Sequence, residues 1–444
     1  MLWTGSHNGP TLQICREGRV PRTLTRFLIG AAVGAGMLAH AQVAVGASPS
    51  YSVHSFTAQA YGGVSPADVS IAAGQRYLAE TINTSLTVYT KSGVQTNHRD
   101  FGTLFAPATS VFCADPVVVY SDSTNRYALV CTDTSNNTTR LAVSETGDPN
   151  GAWHTWNTGP GTAVDQPSVE ITRNKLIVVG SNAAGAALWV YQLSDILSGS
   201  PTPRVKTLEV PRGQYRGVTQ ASVVGRGYLL QAYPGHDVFV GEVQGTPATQ
   251  NVSFREIDLG ADTFAPPHDP SIPGGKLGGG FLDGRVLNAS YETTATGAKI
   301  IQFSQMASCG GLDCSVYGRL SFATNGPRLA YLKSLSSTAH DQTYAAIAVD
   351  RRGRWFEAYT RSSPTQAPQA AIQTTGFNRV VRNATPGTTA CHTGATPPCD
   401  ERWGDYLGAA PDPTNDTKVW LAGLYQTASG DDGWTTVITS VTVQ

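Results

Sequence analysis

Arg402-Trp403-Gly404-Asp405-Tyr406, then Leu407-Gly408-Ala409-Ala410-Pro411-Asp412 and Val419-Trp420-Leu421-Ala422-Gly423-Leu424-Tyr425, read as a polar knot, a buried strand, a turn and a second strand. Looser copies of this pattern precede it. The first copy runs through residues 68–74, 76–80 and 85–89, and the second through 115–122, 126–131 and 139–144, with a fourth strand at 153–157. The third takes 165–171, 175–180 and 187–191, its tail at 193–197 reading as one helical turn. The fourth takes 219–224, 228–231 and 238–242, with Gln220 in place of an acid. The fifth follows a Pro/Gly-rich loop at 266–280 and takes 285–291 and 299–303; the sixth takes 344–350 and 354–359. The opening stretch is the seventh copy and ends at 436–441.

Sets of three or four strands starting every roughly 50 to 60 residues match radial repetition better than a sandwich, which needs far fewer strands. The expected fold is all-β, a seven-bladed β-propeller, with the alternating segment 51–58 completing the last blade and closing the ring. Six blades, with the irregular fifth region as an insertion, is the alternative.

Composition agrees with a strand-rich chain. Gly 47 and Pro 26 favour turns, and 40% apolar residues in 444 are ample for a core. With 31 basic against 32 acidic residues there is no electrostatic reason to expect nucleic acid as partner. Residues 22–47 carry a basic start, an apolar run too short and glycine-rich for a comfortable membrane span, and small-residue cleavage sites, the pattern of an export signal. An uncleaved anchor is the competing reading. The expected division is an extension and signal over 1–47 and one propeller domain over 48–444, with translation starting nearer Val20 and the mature protein secreted, extracellular or periplasmic.

With Cys15 upstream of the signal, six cysteines remain, an even number suited to an oxidising compartment. Proximity pairs Cys113 with Cys131, Cys309 with Cys314 and Cys391 with Cys399. A metal site competes for these cysteines, but there is no Cys-x-x-Cys and His392 is the sole adjacent imidazole.

In a propeller the residue just before each first strand sits at the rim of the central funnel, and Asp68, Asp115, Asp165 and Asp405 take that place. Asp115 precedes Asp122, and Asp405 precedes Asp412, by the same seven residues. Acids crowded on one axis repel one another, which raises some of their pKa values and sets a general acid beside a general base. An aspartate before a strand also serves simply as a turn opener, and that reading stays open. His268-Asp269 and His340-Asp341 open blades after loops, where a histidine beside an acid acts as a base, binds a metal or is an ordinary loop residue. Tyr406 and Tyr344 stand next to the rim, as sugar platforms, proton carriers or core residues. Arg361 and Arg402 are the rim arginines. There is no Gly-x-Ser-x-Gly elbow, and Gly278-Gly279-Gly280 leads to no helix, so serine hydrolysis and nucleotide binding have no motif. Acid-rich turns at 412–416 and 431–432 enter only as sites for a structural calcium ion; no cofactor and no catalytic metal are expected.

The Asp-first copies, the phrase 402–406 and the segment 144–153 resemble secreted bacterial sialidase-like, or BNR-repeat-like, β-propeller proteins over roughly residues 50–444. Sialidases carry several Ser-x-Asp-x-Gly-x-Thr-Trp turns, which only residues 429–435 approach, and an Arg-Ile-Pro motif that this chain lacks. The resemblance implies a glycan-active propeller. The expected activity is glycoside hydrolysis by a carboxylate pair, Asp115 with Asp165 or Asp405, with Tyr406 and His268 as further catalytic candidates. Asp68, Gln220, Asp269, His340, Asp341, Arg361 and Arg402 are the substrate-binding candidates, a polysaccharide or glycoconjugate the partner, and a monomer the expected state. A non-catalytic binding module and a polysaccharide lyase using His268 or His340 with a tyrosine are the alternatives.

Overall fold

The computed structural model describes residues 49–444 apart from 62, 107–110, 159–162, 183–184, 211, 221, 223, 279–281, 392–397 and 431–432. The expected signal, Cys15, His392, most of the triple glycine and the acids of the 429–435 turn therefore lie outside the described residues. The chain is all-β. Among the described residues, seven sheets of four or five strands succeed one another, and an eighth, three-stranded one is small.

The first sheet is Ser70–Ala73, Tyr77–Ile82, Ser85–Thr90 and Gln95–Asp100; the second is Cys113–Ser121, Arg126–Asp133, Thr138–Ser144 and Trp153–Thr158. The third is Asp165–Ile171, Lys175–Asn182, Gly185–Gln192 and Val205–Val210; the fourth is Arg216–Gly217, Gly227–Gln231, Asp237–Gln244 and Ser253–Ala261. Asn288–Thr293, Lys299–Ser308, Asp313–Ala323 and Gly326–Leu335 make the fifth; Asp341–Val349, Trp355–Ser363, Gln366–Thr374 and Phe377–Arg382 make the sixth. The seventh joins Gly408–Pro411, Lys418–Gln426 and Trp434–Val443 to Tyr51–Ala60, which pairs antiparallel with Trp434–Val443 from Tyr51↔Val443 to Ala60↔Thr435. Leu193–Leu197 is the short helix anticipated in the third set.

Burial grades outward along each sheet. Ser70–Ala73 is buried throughout, while Gln95–Asp100 at the other edge of its sheet is mostly exposed. The inner strands are largely buried, having protein on both faces, and the outer ones are polar on one face. Neighbouring sheets share cores. Phe101, Leu104 and Leu129 pack between the first and second sheets, Val178 and Trp189 against Val130 and Leu141 between the second and third, and Leu188 with Leu229 between the third and fourth. Tyr228 and Phe303 join the fourth to the fifth, and Tyr317 with Trp355 the fifth to the sixth. The sixth, seventh and first share one cluster that includes Phe356, Trp420 and Leu78.

One correction concerns the fourth set. Residues 219–224 were expected to form its inner strand, yet Arg216–Gly217 does so, and Thr219–Gln220 leaves that sheet to pair parallel with Ser290 and Tyr291 of the fifth. Gln220 is consequently no counterpart of the rim acids; it is buried, donating to Glu170 and to the Arg226 carbonyl. The Pro/Gly-rich approach to the fifth sheet carries Ser271–Ile272 and Gly275–Leu277, the latter parallel to Cys399–Glu401. Disulfides join Cys113–Cys131, Cys309–Cys314 and Cys391–Cys399, and among the described residues no helix is long and apolar enough to cross a membrane.

Candidate functional site

A repeated backbone irregularity builds the site. The inner strand of the second sheet skips register between Ala114 and Val117, that of the third between Asp165 and Ser168, and that of the sixth between Thr343 and Ala346. Each skip is a bulge whose first residue has a left-handed backbone: Asp115 (φ 52), Gln166 (φ 48) and Tyr344 (φ 57). Asp68 (φ 49) and Gln214 (φ 62) stand at the same count before the first and fourth sheets, two residues ahead of the paired positions Ser70 and Arg216. Bulky residues hold this conformation at a cost, so its recurrence at one level of successive sheets marks a constrained site.

The register shows that the four rim acids are not equivalent. Asp68 and Asp115 are bulge residues, whereas Asp165 lies one step earlier and Gln166 fills the bulge. In the seventh sheet the same count back from the pair Gly408↔Ala422 falls on Tyr406, which places Asp405 in the outer position with Asp165. The shared position does not fix exposure: the Asp165 side chain is 65% exposed and that of Asp405 16%.

Asp68, Asp115 and Asp405 converge, each offering one carboxylate oxygen within 4.8 Å of the others. With Asp165, Gln166, Arg285, Arg402 and Phe112 they line a cavity of about 370 Å³ at the rim. Asp68 is pinned: Oδ1 accepts the Asp405 N–H at 2.8 Å and Oδ2 accepts Asn83 Nδ2 at 2.6 Å. Asn83 Oδ1 in turn accepts the Asp115 N–H at 2.8 Å, so one side-chain amide fastens both left-handed residues. Arg402 Nη2 donates to both oxygens of Asp405 at 2.9 Å. Arg285 is forked onto Asp283 and donates to Gln166, whose own N–H reaches Asp115 Oδ2 at 3.3 Å.

Burial is the largest influence on all three acids and raises them. Asp115 is pushed up to about 7 by burial, then by the charges of Asp405 and Asp165. Asp68 is raised well above the carboxylate range by burial and by Asp405 and Asp115. Asp405 is raised by burial against the opposing pull of Arg402. Tyr406 and Tyr344 are buried beside these acids, their hydroxyls have no hydrogen-bond partner among the described residues, and burial raises both phenols. The trio thus carries fewer charges than carboxylates, with Arg402 neutralising one. The same three oxygens would be the ligands of a cation, but N–H donors already occupy both oxygens of Asp68 and both of Asp405 face Arg402.

The histidines lie elsewhere. His268 Nδ1 is 2.7 Å from Asp313 Oδ1 and Nε2 is 3.0 Å from the Gly311 carbonyl, two acceptors that favour the doubly protonated ring. Asp341 spends its oxygens on the Ser271 and Asp313 N–H groups, at 2.8 and 2.9 Å. His268, Asp313 and Asp341 so form a second cluster that ties the approach loop to the fifth and sixth sheets. Asp269 lies against Gly278, while burial and then the charge of Arg361 lower the pKa of His340. None of these lines the rim cavity. Asp412, held by Lys91, Thr414 and the Trp420 indole, is a structural anchor. Asn83, Gln166, Arg216 and Arg285 are the site residues that sequence reading missed. Aligning the prolines of Asp115-Pro116 and Gln166-Pro167 would have found Gln166, since a bulge tolerates a residue without an N–H.

No protein-family model and no curated protein matches this chain. Among solved structures it is similar to an endo-arabinase from Bacteroides thetaiotaomicron, at 15% identity and TM-score 0.36 over 72% of this chain and 97% of that one. It is also similar to the WD40 domain of Toxoplasma gondii coronin (9%, TM-score 0.44, 89% and 87% covered). A third is the β-propeller domain of Vanderwaltozyma polyspora Nup133 (8%, TM-score 0.41, 89% and 97% covered). Likenesses of this strength assign no activity, substrate or partner to the chain. The sialidase-like resemblance accordingly stands on the sequence motifs alone.

Proposed function

We propose that the chain is a secreted, seven-bladed β-propeller, its ring fastened by Tyr51–Ala60, and a retaining glycoside hydrolase with its centre at Asp68, Asp115 and Asp405. The observation that carries the reading is the convergence of these three carboxylates on one rim cavity, with one raised to about 7 and another forked by an arginine. Asp115, protonated near neutrality, is the general acid. Asp405, whose charge Arg402 compensates, is the carboxylate that attacks or stabilises the sugar cation, and Asp68 positions Asp405 through its N–H. One oxygen of each carboxylate lies within 4.8 Å of the others, which supports closely set carboxyl groups, as in retaining enzymes, over the wider gap that admits a water. Arg285 and Gln166 line the wall that meets the substrate hydroxyls, and Phe112, 38% exposed at the lip, offers a ring to stack on a sugar.

The experiment is a screen of the secreted protein on neutral and acidic polysaccharides, followed on any responsive substrate by Asp115→Asn and Asp405→Asn. Each should lower kcat by about 10² to 10⁴-fold, and proton NMR of the first product should show the anomer of the substrate. Unchanged rates in both variants would sink the assignment. A non-catalytic glycan-binding module is the second reading, favoured by the use of Asp68 as a backbone anchor. Binding without turnover on a glycan array would select it.

A further inference from the structure

Arg216 is the one feature of the centre that the acid cluster does not explain. Counted from the bulges, the inner strands carry Ser70, Val117 and Ser168 at this position, and the fourth sheet alone of these four puts a cation there. The residue is 8% exposed and its guanidinium lies 4.8 Å from the centroid of the Tyr406 ring. Arg140, Arg285, Arg354 and Arg402 each engage a carboxylate, on Asp133, Asp283, Asp350 and Asp405. Arg216 has no side-chain hydrogen bond and no carboxylate within ion-pair distance among the described residues. A buried guanidinium without a counter-charge is strongly disfavoured, and water solvates it without neutralising it.

The space beside it is suited to a counter-ion. Arg216 lines a separate cavity of about 50 Å³ with Ser70, Val118, Val169, Gly217 and Leu407. That is more than a single water requires and enough for one halide. Four acids also line the cavity, but Asp122, Asp350 and Asp412 are paired with Arg351, Arg354 and Lys91, and burial raises Glu292 to about 7. Too small for a sugar, the cavity reaches toward the half-exposed Asp122 and Arg351, away from the rim where the acids open. Asp115, the carboxylate whose charge acts on Arg216, does so from beyond ion-pair distance and is a weak counter-charge because burial holds it up to about 7.

We propose that this cavity holds a small inorganic anion of chloride size against the Arg216 guanidinium, and that this anion stabilises the fold. The proposal is independent of any glycosidase activity. Full-length protein crystals soaked in bromide should give an anomalous peak within hydrogen-bond reach of Arg216. In calorimetry at fixed ionic strength, exchanging gluconate for chloride should raise Tm by roughly 3 °C and then level off. Arg216→Gln should abolish that rise. No bromide at Arg216, or equal Tm in chloride and gluconate, overturns the proposal. A bromide peak without a chloride-dependent Tm marks an adventitious ion only and overturns it too. If Arg216→Gln does not fold, the wild-type map and titration decide alone.

Discussion

Asp405 and Tyr406 are adjacent in sequence, face the same carboxylates, and differ in how their polar atoms are served. Asp405 meets Arg402 through both oxygens, and that cation is the main influence holding its pKa down against burial. Arg402→Gln removes the pull, so the acid limb of the pH dependence of kcat/KM should move to higher pH. A limb that stays put on a responsive substrate would show that Asp405 is not the titrating carboxylate. The Tyr406 hydroxyl, by contrast, is buried without a partner among the described residues, which costs about 1–3 kcal/mol if nothing else ever meets it. Tyr406→Phe should therefore leave chemical stability unchanged or raise it by about 1 kcal/mol while lowering turnover. Denaturant melts and rates on the same preparation separate the two effects. A loss of stability with full activity would make the hydroxyl a structural group.

At the scale of the strand, the bulges decide what reaches the axis. Asp115, Gln166 and Tyr344 are held in the left-handed region by the pairing on either side of them, and Asp68 and Gln214 stand just before the pairing that begins at Ser70 and Arg216. A β-branched residue tolerates this backbone worst and glycine best. Gln214→Val should cost about 2 kcal/mol and Gln214→Gly little or nothing, measured by urea unfolding; equal costs would mean that the side chain, not the backbone, is what matters there. The bulge also explains what the sequence could and could not reveal. Strands of the second, third and seventh sets were legible because apolar residues alternate or run between tight turns, as in Val117–Tyr120 and Val419–Leu424. The recurrence of acids before them singled out Asp68, Asp115, Asp165 and Asp405, and the structure brings the carboxylates of Asp68, Asp115 and Asp405 together. What stayed hidden was the one-residue offset, because an inserted residue changes which side chain faces inward without changing composition. That offset puts Gln166 in the bulge beside Asp115 and leaves Asp165 one step earlier, largely exposed at the cavity. The fourth inner strand escaped because Arg216–Gly217 is only two residues long and carries neither an acid nor an apolar run. Arg285 reaches the site from a loop seventy residues past Tyr215 in the chain, a contact that only tertiary structure makes.

Across the whole molecule, the sheets bury carboxylates between them as well as at the rim. Glu80, Glu292 and Glu357 are raised to about 7 and Glu170 to about 8, burial being the main cause in each, and Asp313 is raised to about 6. Each group binds its proton more tightly folded than unfolded. Its contribution to stability is therefore complete below the unfolded value, near 4 to 4.5, and is lost as pH rises through the folded one. Asp412 works in the opposite sense: its pKa is lowered by Lys91, Thr414 and Trp420 against burial, so its contribution fades only in acid. The raised groups outnumber it, and Tm should fall between pH 5 and pH 9, by roughly 5 °C or more. Glu357 isolates the cause, since its oxygens accept Ser315 Oγ at 2.5 Å and Gln373 Nε2 at 2.6 Å in a site with no counter-charge. In Glu357→Gln the amide oxygen accepts Gln373 and the amide nitrogen donates to the serine, keeping both contacts without a titrating proton. The variant should match the wild type at pH 5 and exceed it at pH 9, flattening the curve. Melting curves of the two proteins at pH 5, 7 and 9 test this, and parallel curves would mean that Glu357 stays ionised inside the fold and that the alkaline loss of stability arises elsewhere.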